Sequence, residues 1–385
     1  MMAVLLSCAG NSERKNKDSQ SNAAEAIETA HGDMFLLIGT YTSTQGSKGI
    51  YVHRFNIDTG ESDSVSMAEV ANPSYLALSP DEKFVYAVSE GGDEDSFANA
   101  FSFDKNTGKL TLLNSQATQG SSPCYIVVDD KGKNVHTANY GGGSISSFQV
   151  NEDGSLSAQT NLIRFTGQGT DKERQNAPHL HSVMYSSDGK YLFATDLGLD
   201  KLYRYSVNDG SVFEGQPSFS QGDAKAFDVP EVTGPRHFAF HPNGKHMYLL
   251  GELSGDVLVY DYNNGDLEWK QTVKSDTVGA RGSADIHVSP DGRFLYSSNR
   301  LQNDGIAIFS IDDTDGTLTR VGYQTTGKHP RNFVITPNGK FLLVAARDDN
   351  KIQVFAIDKE SGALSDLRKD ILIDKPVCLK FAEWH

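Results

Sequence analysis

One phrase returns seven times along the chain and constrains its fold more than any other feature. It consists of a small or polar residue beside a proline, a short apolar run, a turn such as Ser289-Pro290-Asp291-Gly292, and a second apolar run. Clear copies occupy residues 73–90, 123–140, 235–252, 284–300 and 330–347. A stretched copy spans 178–197 and a truncated one begins at 376. Each unit continues into a second hairpin whose turn pairs Asx with glycine, as at Asp58-Thr59-Gly60, Asn208-Asp209-Gly210 and Asn263-Asn264-Gly265. Such residues tolerate the positive φ that tight hairpin turns require. A period of about 50 residues built from short alternating runs predicts an all-β chain, a seven-bladed β-propeller with four-stranded antiparallel blades.

The ends of the chain fit this count. The last phrase supplies an inner strand at 377–382 with no partner after it, while 35–41 reads as a second strand with no inner strand before it. One blade built from both termini would close the ring and remove two exposed sheet edges. The propeller domain is therefore expected over residues 33–385. Residues 1–32 differ: MMAVLLSCAG is briefly apolar and runs into a polar segment with too little apolar content to order itself. That start resembles the lipobox of a bacterial lipoprotein, which implies lipidation at Cys8, export, and membrane attachment through that lipid alone; a cytoplasmic chain is the alternative. Cys124 and Cys378 are read as small buried residues, not a disulfide. A net charge of −15 without any basic run disfavours nucleic acid as a partner. A monomer is expected.

Function shows where the repeat departs from its own pattern. Counting eight residues back from each first-hairpin turn gives Ser74, Cys124, His181, Arg236, Ala284 and Arg331, with Val377 in the closing unit. Counting eight forward gives Glu90, Tyr140, Leu197, Glu252, Arg300 and Arg347, with Tyr41 from the N-terminal strand. A purely structural position should hold one kind of residue throughout. These positions instead scatter ionisable groups, and His181, Arg236, Glu252, Arg300, Arg331 and Arg347 come from four consecutive units. One side of a channel mouth should thus be positive on a protein that is negative as a whole, an arrangement suited to small anions.

The chemistry this favours is attack of water on an ester-like carbonyl near a fixed negative charge. Guanidinium forks can hold an anion and a developing oxyanion, and Glu252 or His181 can move the proton. His179 shares the strand of His181, read as two residues longer than its counterparts. His237, Asp285 and His287 are placed to orient the arginines or touch a ligand. Glu90, Asn139, Asp196 and Asn299 end second strands and could face a channel cation, although arginines would repel a divalent ion. No cofactor and no metal site is predicted.

At these residues the chain resembles the seven-bladed propeller lactonase family, which includes propeller-type 6-phosphogluconolactonases and the fungal carboxy-cis,cis-muconate cyclase. The matching phrases are His181-Ser182, Gly234-Pro235-Arg236-His237, Glu252-Leu253, Ala284-Asp285-Ile286-His287 and Pro330-Arg331. The resemblance implies a metal-independent lactonase with His181, Arg236, Glu252 and Arg300 as catalytic residues. It points to an anionic sugar lactone as substrate, foremost 6-phosphogluconolactone, with Arg331 as an anion anchor; the repeat positions themselves add His179, His237, Asp285, His287 and Arg347 as further binding candidates. Two alternatives stand beside it: a non-catalytic propeller binding a glycan or protein at its surface, and a metal-dependent lactonase.

Overall fold

A computed structural model describes residues 32–207, 219 and 224–384. Cys8, the polar segment after it and the turn at Asn208-Asp209-Gly210 lie outside the described residues. Seven antiparallel sheets follow one another around a channel, and in each the strands stack outward in simple order. The innermost strands are Leu76–Leu78, Pro123–Val128, Leu180–Tyr185, Pro235–Phe240, Ser283–Val288, Pro330–Ile335 and Pro376–Glu383. The first six begin blades one to six. The last pairs with Asp33–Thr40, which pairs with Gly49–Asn56 and then Ser62–Glu69, so both termini build the closing blade.

Burial follows from this stacking. A second strand such as His246–Gly251 is covered by sheets on both faces and is buried at all six positions, whereas the outermost strand Asp266–Lys274 is mostly exposed or half-buried. Apolar side chains between neighbouring blades form the core. The second-hairpin turns lock adjacent blades together: a Cβ at Gly154 would lie 2.1 Å from the Phe84 ring. Across the same seams Tyr86, Tyr248 and Tyr296 donate to the carbonyls of Gly154, Gly316 and Gly362 at 3.2, 2.9 and 2.9 Å.

The inner strands carry the feature that positions the site. Pairing slips by one residue between Pro123 and Tyr125, Leu180 and Ser182, Pro235 and His237, and Pro330 and Asn332, and slips likewise between Ser283 and Ile286. The residues skipped are Cys124, His181, Arg236, Arg331, and Ala284 with Asp285. Val377 is skipped in the closing blade, where Gly39 pairs with Cys378 and Thr40 with Pro376. A bulge frees a residue from the ladder and re-aims its side chain. Arg236 and Glu252, equidistant from their turn, are accordingly not ladder partners; the Glu252 N–H donates to the carbonyl of Gly234 at 2.8 Å. The inner strand of blade three is also no longer than those of blades two, four, five and six; it runs Leu180–Tyr185, and His179 precedes it.

Candidate active site

Glu252 is the hub of the channel mouth. It sits just beyond the second strand of blade four, 6% exposed, and its Oε2 accepts from Arg236 Nε at 2.8 Å and lies 3.3 Å from Arg300 Nη2. Its Oε1 accepts from Arg174 Nη2 at 2.7 Å. Burial opposes ionisation of this carboxyl, but the guanidiniums of Arg300, Arg236 and Arg174 outweigh it and hold the value at about 2. A carboxylate so committed organises cations and is a poor proton acceptor.

Two of those cations are backed in the same way. Arg236 Nη1 donates to the carbonyl of Ala284 and to His237 Nε2 at 3.4 Å, and His237 Nδ1 donates to Asp285 at 2.8 Å. Arg300 Nε donates to the carbonyl of Gly282 at 2.8 Å and its Nη1 to His329 Nε2 at 3.2 Å, while His329 Nδ1 lies 3.4 Å from Asp348. Each arginine therefore leans on a histidine whose other nitrogen faces a carboxylate. Both imidazoles are neutral: burial first, then the adjoining arginine, depresses His237 to about 4 and His329 to about 3. Burial also lowers Arg300 to about 9, which leaves it charged at neutral pH.

His181 lies against this assembly, 5% exposed, its ring 5.2 Å from that of His237 and 5.5 Å from that of Tyr140. Burial, reinforced by Arg236, keeps its pKa well below the ordinary value, so it too is neutral. His179 stacks on Tyr140 at 4.4 Å and bonds the Tyr140 carbonyl through Nδ1 at 3.0 Å. Across the channel Arg331 approaches Glu90 at 3.8 Å and lies 5.5 Å from the Tyr41 ring centre, whose hydroxyl donates to Glu90 at 3.0 Å. Four guanidiniums, of Arg174, Arg236, Arg300 and Arg331, thus outnumber the carboxylates about them, which are Glu252, Glu90 and, behind neutral His237, Asp285.

Not every predicted residue joins the cluster. Arg347 opens a short 3-10 turn and is paired with its neighbour Asp348 at 2.7 Å, and partly exposed His287 bonds Asp285 at 3.0 Å. Asp285, which also accepts from Asn332 and from the N–H of Phe333 at 3.2 Å, knits blades four, five and six together. Asn139 and Asn299 turn back to serines of their own surroundings, and Asp196 Oδ1 accepts three backbone N–H groups around His179 and Gly198, so these three brace loops. Cys124 and Cys378 are free and buried.

The family comparison fits this arrangement: the model described as Lactonase, 7-bladed beta-propeller, matches residues 35–381. The chain belongs to the seven-bladed β-propeller lactonase family. Among curated relatives, a 6-phosphogluconolactonase of Formosa agariphila is 39% identical over 88% of this chain and 97% of its own. One of Bacillus subtilis is 38% identical over 89% and 97%. Among solved structures, a proposed 6-phosphogluconolactonase of Bacteroides fragilis superposes with a TM-score of 0.89 at 52% identity, covering 92% of this chain and 99% of that one. A periplasmic gluconolactonase of Pseudomonas aeruginosa gives 0.84 at 32%, covering 92% and 100%.

The protein is a lactonase. Sequence reasoning had not singled out two residues of its channel mouth. Arg174 comes from the connection between blades two and three, where Asp171 accepts from the backbone of Glu173 and Arg174 and from the side chain of Arg281. The length of that connection, which stretches one repeat copy, was the available signal. His329 stands two residues before the bulged Arg331, outside the positions that the repeat comparison sampled.

Proposed function

We propose that this lactonase hydrolyses an anionic sugar lactone, 6-phosphogluconolactone to 6-phosphogluconate, with His181, Arg236, Glu252 and Arg300 as the reacting group's surroundings. The observation that carries the reading is the convergence of three guanidiniums on buried Glu252, with a surplus of positive charge left for a ligand. An anionic phosphate suits that surplus, and two curated relatives carry the 6-phosphogluconolactonase name.

The steps follow from the electrostatics. Water adds to the ring carbonyl carbon and gives its proton to neutral His181. Arg236 and Arg300, fixed by Glu252, stabilise the oxyanion. The tetrahedral intermediate collapses, the bond to the ring oxygen breaks, and protonated His181 returns the proton to that oxygen. Arg174 and Arg331, the more accessible cations, hold the phosphate.

The test is a panel of phosphorylated and unphosphorylated lactones at fixed pH with spontaneous opening subtracted. Highest kcat/KM on the phosphorylated lactone, lost by at least tenfold in a folded Arg300→Ala variant, is the expected result. Preference for the uncharged lactone, or Arg300→Ala activity within a few-fold of wild type, would overturn the reading.

A further inference from the structure

Inside the channel, Ser74, Cys124, His181, Arg236 and Arg331, each from a different blade, border a cavity of about 10 Å³, room for one small species. Among the described residues no carboxylate lines it. The Ser74 hydroxyl is buried and has no hydrogen-bond partner among the described residues, a desolvation cost that a bound acceptor removes. Arg236 is 1% exposed, and after burial the nearby charge of Arg331 is the largest influence working against its ionisation. The other borders add no negative charge. Cys124 is a thiol, pushed up to about 12 chiefly by burial, and it donates to the His181 carbonyl at 3.5 Å.

We propose that this cavity binds a single small inorganic anion of halide type, held between Arg236 and Arg331 with the Ser74 hydroxyl as a third donor. A water molecule would satisfy Ser74 but place no negative charge between the two arginines, whose carboxylate partners Glu252 and Glu90 lie outside the cavity lining; a phosphate or sugar carboxylate exceeds the space. The anion screens Arg236 from Arg331.

The experiment compares thermal unfolding in chloride, bromide and methanesulfonate at one ionic strength, so that general screening is constant. Wild type should melt about 2–5 °C higher in either halide, saturably, than in bulky methanesulfonate. Ser74→Val, which fills the cavity, should abolish the difference while still unfolding cooperatively. Equal melting of wild type in all three salts, or an undiminished halide effect in Ser74→Val, would overturn the proposal. Should Ser74→Val fail to fold, wild-type crystals grown in bromide decide: an anomalous peak between Arg236 and Arg331 supports the site, and none there refutes it.

Discussion

Replacing Glu252 by glutamine keeps the side chain's shape and removes the charge on which Arg174, Arg236 and Arg300 converge. In the wild type the carboxyl is held at about 2 against an ordinary 4.5, because the three arginines outweigh the burial that opposes ionisation. At about 1.36 kcal/mol per tenfold, this preference for the ionised form amounts to about 3 kcal/mol at neutral pH. Arg236 and Arg300 are 1% and 5% exposed, so the variant leaves two buried cations without their shared counter-charge, a change that costs about 3–5 kcal/mol in comparable sites. Arg174, a third exposed, adds under about 1 kcal/mol. The folded value lies below the unfolded one, so the stabilisation is complete above pH 4.5 and drains away as pH falls toward 2. Urea unfolding of both proteins at pH 7, 6, 4 and 3 should give a gap of about 3 kcal/mol at the upper two values that narrows at the lower two. A gap under about 1 kcal/mol at pH 7, or one that stays constant down to pH 3, would refute the role of Glu252 as the charge hub.

Three other outcomes are expected. Arg174→Ala should unfold within about 1 kcal/mol of wild type yet lose about 10- to 100-fold in kcat/KM on an anionic lactone, the worth of one charge-assisted contact, with less effect on an uncharged lactone. Because burial and Arg236 keep His181 neutral, kcat/KM should stay level as pH falls through 6.5, and the acid limb of kcat should lie at higher pH once a bound anion offsets the arginines; an acid limb of kcat/KM at 6.5 would contradict this. Asp285→Asn should lower stability by about 3 kcal/mol and shift the pH profile as well, since the His237 that supports Arg236 loses its charged acceptor.

The fold was legible because its signals are repeated. Seven copies of one phrase, each with turn residues suited to left-handed backbone, leave little freedom in strand count, and the unmatched strands at the two ends specify closure. Arg236, Glu252 and Arg300 were legible for the opposite reason: they break a repeat, and the break can be seen by aligning copies on the turn. Arg174 lies outside the positions aligned on the turn, in a connection longer than those of the other units. Arg347 occupies an equivalent position by counting, but Asp348 follows it in sequence and captures its guanidinium locally at 2.7 Å. The bulges were invisible for a physical reason: they fall directly after the first residue of each inner strand, where no run of alternation precedes them to be broken.

Those bulges explain how one scaffold gathers side chains from separate blades. Six of the seven blades release a residue toward the channel at the same place, whatever that residue is, so the architecture supplies positions and the local sequence decides what fills them. In blade four the position holds Arg236; in blade five it holds Ala284, whose methyl leaves its own carbonyl open to receive Arg236 from the neighbouring blade. Arg300 leans back from blade five toward Glu252 of blade four, and His329 of blade six supports it from behind. Each contact crosses a blade boundary, so the cluster depends on the rotation between adjacent sheets as much as on any one strand. A bulky side chain at Ala284 would obstruct the carbonyl that anchors Arg236 and free its guanidinium to swing from Glu252, with no charged group altered. The two small residues at the channel positions of blades five and one, Ala284 and Ser74, are accordingly as much a part of the site's design as its charges: one makes room for an arginine to reach a carbonyl, the other leaves space beside two arginines.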